Sequence, residues 1–190
     1  MALAMDSVAG VLANELALVA QAPVEPAAFA AIYDHYFPRI HAYVSYRVRE
    51  AATADDLTAT IFARALAKIS SYRPDGAPFA VWLFAIARNA VSDHLRREAR
   101  HRWLSLDVVH DWVSGERTPD EVVIAGEARE ALRAAMQRLS ERERDLLALK
   151  FGAQLTNRRI AALTGLSESN VGVIVYRAVA RLRADLRREG

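Results

Sequence analysis

The sequence predicts an all-α protein: two small helical domains joined by a flexible linker, the second a helix-turn-helix domain. Three observations carry that expectation. Apolar residues recur at three- and four-residue spacing on both sides of the middle of the chain, and no stretch alternates with the two-residue period of a strand. Between the patterned parts, residues 103–125 lose the periodicity and collect Ser, Asp, Gly and Pro, as a linker does. The last proline is Pro119, so residues 120–190 contain no helix breaker of that kind. The expected bounds are an N-terminal extension at 1–25, a first domain at 26–102, an acidic linker at 103–125 and a second domain at 126–190.

The extension opens MALAMDSVAGVLANELALVAQAP. It has no basic start, and Asp6, Asn14 and Glu15 interrupt the apolar run, which argues against a signal peptide or membrane insertion. A short amphipathic helix and a frayed tail are the two readings that remain.

In the first domain, Phe29, Ile32, Tyr33, Tyr36, Phe37, Ile40, Tyr43, Val44 and Val48 mark an amphipathic helix with an aromatic stripe. Pro38 predicts a kink or break within it. Thr53, with Asp56 three places on, predicts the cap of a second helix, whose apolar face is Leu57, Ile61, Phe62, Ala65, Leu66 and Ile69. Tyr72–Gly76 reads as a loop, and Pro78 suits the start of a third helix. Phe79, Trp82, Leu83, Ile86, Ala90, Val91 and Leu95 form its inward face, with Arg88, Asn89, Asp93, Arg96 and Arg97 mostly elsewhere.

In the second domain, Ala128, Leu132, Ala135, Met136 and Leu139 share one face. Ser140 and Glu143 form a capping box for a helix carrying Leu146, Leu147, Leu149 and Phe151, which Gly152 is expected to end in a left-handed cap. Thr156 caps a short helix, Gly165 turns the chain, and Ser167 caps a long helix to about Arg188.

Net charge is only +2, but it is unevenly spread. Residues 1–80 carry net −2, residues 81–103 net +3, residues 104–125 net −4 and residues 126–190 net +5. Two basic segments thus flank an acidic one. Basic segments favour polyanions, although a solvated helix face explains either of them alone.

The segment NRRIAALTGLSESNVGVIVYR at 157–177 carries the functional signal. Two helices joined by a tight turn need a small residue at their crossing, a turn residue tolerant of positive φ, and an apolar residue holding the second helix down. Ala161, Gly165 and Val171 occupy those places, with Ile160, Leu166 and Val175 completing a small core. An ordinary helical hairpin shares part of this pattern. As a helix-turn-helix, the second helix would enter a DNA major groove. Ser169, Asn170 and Val173 would face base edges, with Ser167 at the helix start. Arg158, Arg159, Arg177 and Arg181 would meet phosphates.

The order of these elements resembles the extracytoplasmic-function sigma factors of bacterial RNA polymerase. PFAVWLFAIARNAVSDHLRR resembles their DNA-melting helix through Trp82, Leu83, Ile86, Ala87, Arg88, Asn89, Asp93, Leu95, Arg96 and Arg97. TADDLTATIFARAL resembles their polymerase-clamp helix through Asp56, Leu57 and Phe62, and RLSERERDLLALKF with the helix-turn-helix resembles their promoter-binding C-terminal domain. The resemblance covers roughly residues 28–188.

It implies a first domain that binds core RNA polymerase through Asp55, Asp56, Leu57 and Phe62. That domain would open the minus-ten element with Tyr72, Arg73, Arg88, Asn89, Asp93, Arg96 and Arg97. Single-stranded bases are held by stacking and cationic contacts, which makes Tyr72 and Arg73 suitable loop candidates. The second domain would read the minus-thirty-five element. The resemblance further implies promoter DNA as a partner, an anti-sigma protein for many members, a cytoplasmic setting, no cofactor and no enzymatic activity.

Departures from the family pattern stand at Ala59 and Thr60, where a polar-acidic pair is usual, and at Gly172 and Ile174, where Lys and Arg are common. They weaken the case for an ion pair to the clamp and for base readout at the last two places.

Other functions find less support. A polymerase-independent regulator would share the helix-turn-helix but has no need of the Trp-Leu…Ala-Arg-Asn helix. No Gly-x-Ser-x-Gly, phosphate-binding Gly-Lys loop or cysteine nucleophile suggests an enzyme. His35, His41, His94, His101 and His110 are scattered, and without cysteine there is neither a disulfide nor a thiolate zinc site.

Overall fold

A computed structural model describes residues 14–48, 50–104, 132 and 134–189, and among these every regular element is helical. The first unit contains α1 (Glu15–Gln21), α2 (Pro26–Arg47), α3 (Ala51–Lys68) and α4 (Phe79–Leu104). The second contains α5 (Glu141–Leu147), a π-helical turn at Ala148–Gly152, α6 (Asn157–Thr164) and α7 (Glu168–Glu189). The expected linker falls almost wholly outside the described residues, as do Ala128 and residues 1–13.

Pro26 opens α2 at a position where its fixed φ suits a first helical turn and its missing N–H costs nothing. Pro38 does not break the helix, contrary to expectation: α2 continues to Arg47. Ile32, Tyr36, Ile40, Tyr43 and Val44 are all fully or almost fully buried on both sides of Pro38. Packing on both flanks outweighs the roughly 3 kcal/mol that an internal proline costs. The Thr53 cap does not form either. Glu50 is extended at the N-cap, α3 starts at Ala51, and the Thr53 hydroxyl donates to the Glu50 carboxylate at 3.2 Å. The Pro78 carbonyl accepts the first bonds of α4, from Val81 N–H at 2.8 Å and Trp82 N–H at 3.2 Å.

The core of this unit is aromatic. Tyr36, Phe79 and Phe84 are buried with Leu83, Ile61 and Ile40. Tyr36 and Phe79 meet edge-on at 5.7 Å, and Tyr43 and Phe84 at 6.1 Å. Leu66, expected on the inner face of α3, is 47% exposed instead. The short helix α1 packs on α2, burying Val19 and Ala22, and Glu15 accepts a hydrogen bond from the Tyr36 hydroxyl. Part of the expected extension therefore belongs to the first unit.

The Ser140–Glu143 capping box forms as expected. Ser140 N–H donates to Glu143 Oε2 at 2.8 Å, and Glu143 N–H donates to Ser140 Oγ at 3.2 Å. Partial burial pushes the Glu143 pKa up, but the Ser140 hydrogen bonds and Arg181 overcome it and hold the carboxyl below its ordinary range.

Gly152 does not form a left-handed cap. The residue with positive φ is Gln154, at 55°. Gly152 is instead a point of close approach: a Cβ there would lie 2.9 Å from the Tyr46 ring and 3.1 Å from the Ala42 backbone, both on α2. Phe151, expected inside, is 51% exposed.

The two units share one apolar core, in which Leu149, Ala153, Leu155 and Ile160 join the residues of α2 and α4. Polar contacts cross the same boundary. Arg39 lies over the Tyr36 and Phe84 rings and donates from Nε to the Ala153 carbonyl at 2.9 Å. Asp145 of α5, 6% exposed, accepts from the Tyr43 hydroxyl at 2.9 Å, from Arg88 Nε at 2.6 Å and from Arg47. Arg47 also pairs with Glu141.

Replacing Phe84 with Ala should lower stability by about 3–5 kcal/mol, because the ring is wholly buried and leaves a cavity. Urea unfolding followed by circular dichroism measures this. A midpoint unchanged from wild type would contradict the packing described.

Candidate nucleic-acid interface

The helix-turn-helix is assembled from local signals that all agree. Thr156 Oγ1 accepts from Arg159 N–H at 3.3 Å and caps α6. Gly165, at φ 74°, ends it, its N–H bonding the Ala161 carbonyl at 2.9 Å. Ser167 Oγ then accepts from Asn170 N–H at 3.2 Å and caps α7. Ile160, Val171, Val175 and Ala178 are buried between the two helices, with Leu166 partly buried beside them.

That packing leaves the front of α7 outward. Ser169, Asn170 and Val173 are exposed, and Ser167 and Ser169 share a hydrogen bond at 3.2 Å. Tyr176 is 76% exposed on the same face and escaped the sequence reading. The available signal was its place three residues beyond Val173, off the buried 171–175–178 line. Its ring can stack and its hydroxyl can donate, so it extends the reading surface.

The arginines divide. Arg158 and Arg177 are exposed beside the unit. Arg159 is half-buried and close enough to Tyr36 and Arg39 to act on both electrostatically, so it sits toward the first unit. Arg181 is held by Glu143 at 3.2 Å. Ile174 packs against the core, which removes it from base readout. At Gly172 a Cβ would lie 3.4 Å from the Asn157 amide, an ordinary contact, so the site does not require glycine.

On α4, Asn89, Arg96 and Arg97 are exposed, and Arg96 is tied to Asp93 at 2.5 Å. Arg88 is half-buried and joins the Asp145 cluster through its Nε, at 2.6 Å. In the preceding loop Arg73 is exposed, its guanidinium donating to the Ser70 and Tyr72 carbonyls at 3.2 Å. Tyr72 is not a stacking platform: it is 7% exposed, its ring 5.3 Å from Phe79 and 5.7 Å from Trp82, its hydroxyl bonded to the Ala77 carbonyl. Its aromatic area is worth more inside this cluster than in solvent.

On α3, Asp55 and Asp56 are exposed and Leu57 is half-buried. Asp55 meets His41 at 2.9 Å. Phe62 is not on this surface. It is 4% exposed, 4.5 Å from the Tyr33 ring, and shapes the face from below. No helix among the described residues is long and apolar enough to cross a membrane.

Two family models match the chain: Sigma-70 region 2 over residues 32–101, and Sigma-70, region 4 over residues 129–182. The chain is 34% identical over 158 residues to the ECF RNA polymerase sigma factor BldN of Streptomyces coelicolor, spanning 83% of this chain and 60% of that one. It is 28% identical to the ECF RNA polymerase sigma factor SigM of Bacillus subtilis, over 80% of this chain and 91% of that one. Among solved structures it is similar to CnrH in complex with the cytosolic domain of CnrY, at 25% identity and a TM-score of 0.67, covering 93% of this chain and 99% of that one.

Exchanging Arg158 and Arg177 together for Ala should weaken binding to a mixed-sequence DNA duplex. It should flatten the dependence of log K on log salt by about 1.8, at about 0.9 per lost phosphate contact. Fluorescence anisotropy across a salt series measures the slope. An unchanged slope would remove both residues from the phosphate contacts.

Proposed function

The chain belongs to the sigma-70 family, in its extracytoplasmic-function group, and is a non-enzymatic promoter-recognition subunit that directs transcription initiation; on that premise we propose how its residues divide the work. The exposed α3 surface around Asp55, Asp56 and Leu57 binds core RNA polymerase in the cytoplasm. The outer face of α4, with Asn89, Arg96, Arg97 and, once freed, Arg88, meets the minus-ten element together with Arg73. The α7 front at Ser169, Asn170, Val173 and Tyr176 reads the minus-thirty-five duplex, and Arg158 and Arg177 fix its register on the phosphates.

The observation that carries this reading is the outward α7 front, set on a capped helix-turn-helix whose buried side is fully occupied. Asn and Ser there can bond base edges, Val can meet a thymine methyl, and flanking cations supply affinity without sequence information. Strand opening costs a few kcal/mol for each extruded base, as a typical magnitude, and the basic α4 face offsets part of that by holding displaced strands. Tyr72 contributes by bracing the loop against Phe79 and Trp82. An anti-sigma protein is a further expected partner, since the structurally similar Bartonella quintana RpoE was solved with the anti-sigma factor NepR.

Reconstituted transcription tests the reading: purified chain with sigma-free core polymerase on a genomic fragment library, core alone as control. New start sites sharing two spaced upstream motifs are expected. Core binding without new starts would indicate a sigma fold that has lost promoter function, and the absence of both core binding and new starts would overturn the proposal. Replacing Arg96 and Arg97 together with Ala should reduce open-complex formation, read by permanganate footprinting, while core binding stays intact. Equal loss of both would count against a DNA role for α4. Asn170→Ala should change the preference among minus-thirty-five sequences, measured on a promoter library, typically by about 1–3 kcal/mol at the contacted base pair. An unchanged preference would exclude Asn170 from readout.

A further inference from the structure

Every residue of the loop from Arg73 to Pro78 is exposed, so its place is set by the buried residues at its two ends, Tyr72 and Phe79. Those rings meet edge-on at 5.3 Å, and the Tyr72 hydroxyl donates to the Ala77 carbonyl at 3.1 Å. Phe79 in turn meets Tyr36 of α2 edge-on at 5.7 Å. Tyr36 is wholly buried at a place where phenylalanine would pack as well. Its hydroxyl therefore needs a partner, and that partner is Glu15, the first residue of α1. Burial first, and then Glu15, pushes the Tyr36 hydroxyl well above its ordinary pKa, so it stays a neutral donor to Glu15. Glu15 also acts electrostatically on Tyr72, whose hydroxyl is pushed up by burial, then by Glu15 and Asp75.

We propose that Glu15 is a positioning residue for the minus-ten element: from α1 it fixes the Tyr36 hydroxyl, and through Tyr36 and Phe79 it sets how the loop between Tyr72 and Phe79 presents Arg73. The inference rests on the minus-ten role of that loop proposed above. The rings pass position along because they touch within a close-packed interior, where one side chain cannot shift without its neighbour. Arg39 lies over the face of the Tyr36 ring, and Glu15 holds its hydroxyl end. Trp82, stacked with Phe79 at 5.3 Å, backs the group from the next turn of α4. The exposed loop, with no buried side chain between its ends, is the part that yields when the group shifts.

Three substitutions separate positioning from packing. Tyr36→Phe keeps the buried ring and removes only the hydroxyl. Glu15→Leu removes the acceptor at a half-buried position. Glu15→Gln keeps a side-chain oxygen that can accept from Tyr36, and serves as the rescue. Neither Glu15 nor Tyr36 is assigned to DNA or polymerase contact. Arg73→Ala is the control for the loop itself.

Each full-length variant is joined to core polymerase below its melting temperature. It is scored on a promoter recovered from the genomic library and on single-base variants of that promoter in the minus-ten and minus-thirty-five elements. Tyr36→Phe and Glu15→Leu should each flatten the preference for the parent minus-ten sequence by about fivefold or more, the low end of what one contacted base is worth. Both should leave core binding and the minus-thirty-five ranking unchanged, and Glu15→Gln should keep the minus-ten ranking of the unaltered chain. A ratio between promoters does not depend on the folded fraction, so a merely structural defect lowers transcription from all of them alike. That uniform loss in both variants would overturn the proposal, as would an unchanged minus-ten ranking. A minus-ten ranking untouched by Arg73→Ala would sink the minus-ten reading of the loop instead, and no promoter-specific starts from the unaltered chain would sink the sigma assignment.

Discussion

The arrangement of the whole molecule depends on how one buried carboxylate finds its partners out of water. Asp145 is almost fully buried, and an isolated charge there would be intolerable. Two arginines and a phenol resolve the problem from the other unit. Burial, and then the Asp145 carboxylate itself, pushes the Tyr43 hydroxyl well above its ordinary pKa, so it serves as a neutral donor. The cluster thereby fixes where α5 meets α2 and α4. Arg39, sandwiched on Tyr36 and Phe84 with its Nε on the Ala153 carbonyl, fixes the next point along the same boundary.

Close backbone approach makes those charged contacts reachable. The π-helical turn at Ala148–Gly152 presents small residues, and Gly152 meets α2 at a distance no side chain would allow. Apolar burial of Leu149, Leu155 and Ile160 around them supplies the attraction, and the ion pairs select one docking geometry.

The sequence was legible where structure is made locally. The capping box at Ser140, the Thr156 and Ser167 caps, and Gly165 at positive φ depend on neighbours within a few residues, and all stand as the pattern foretells. The inward face of α4 was legible because its apolar spacing is regular over four turns. The failures share a different cause. Pro38 is carried by packing on both sides, Gly152 answers to α2 rather than to its own helix, and Arg88 is claimed by a residue 57 positions away. Phe62 and Tyr72 were assigned to surfaces because family patterns do not separate a residue that touches a partner from one that shapes the surface from beneath. Tyr176 was passed over although it lies off the Val171–Val175 line that the sequence itself marks as buried.

The contacts closing the boundary are distant in sequence: 98 positions separate Arg47 from Asp145, and 114 separate Arg39 from Ala153. Synthesis on the ribosome runs from the N-terminus, and Asp145 follows Leu104, the last residue of α4, by 41 positions. At about 5–20 residues per second, the end of the first unit leaves the ribosome about 2–8 s before its counterpart carboxylate does. During that interval the nascent chain presents the α3 and α4 faces together, with Arg47 and Arg88 in water. The order of translation alone therefore leaves both faces of the first unit uncovered in every newborn molecule before the boundary can form.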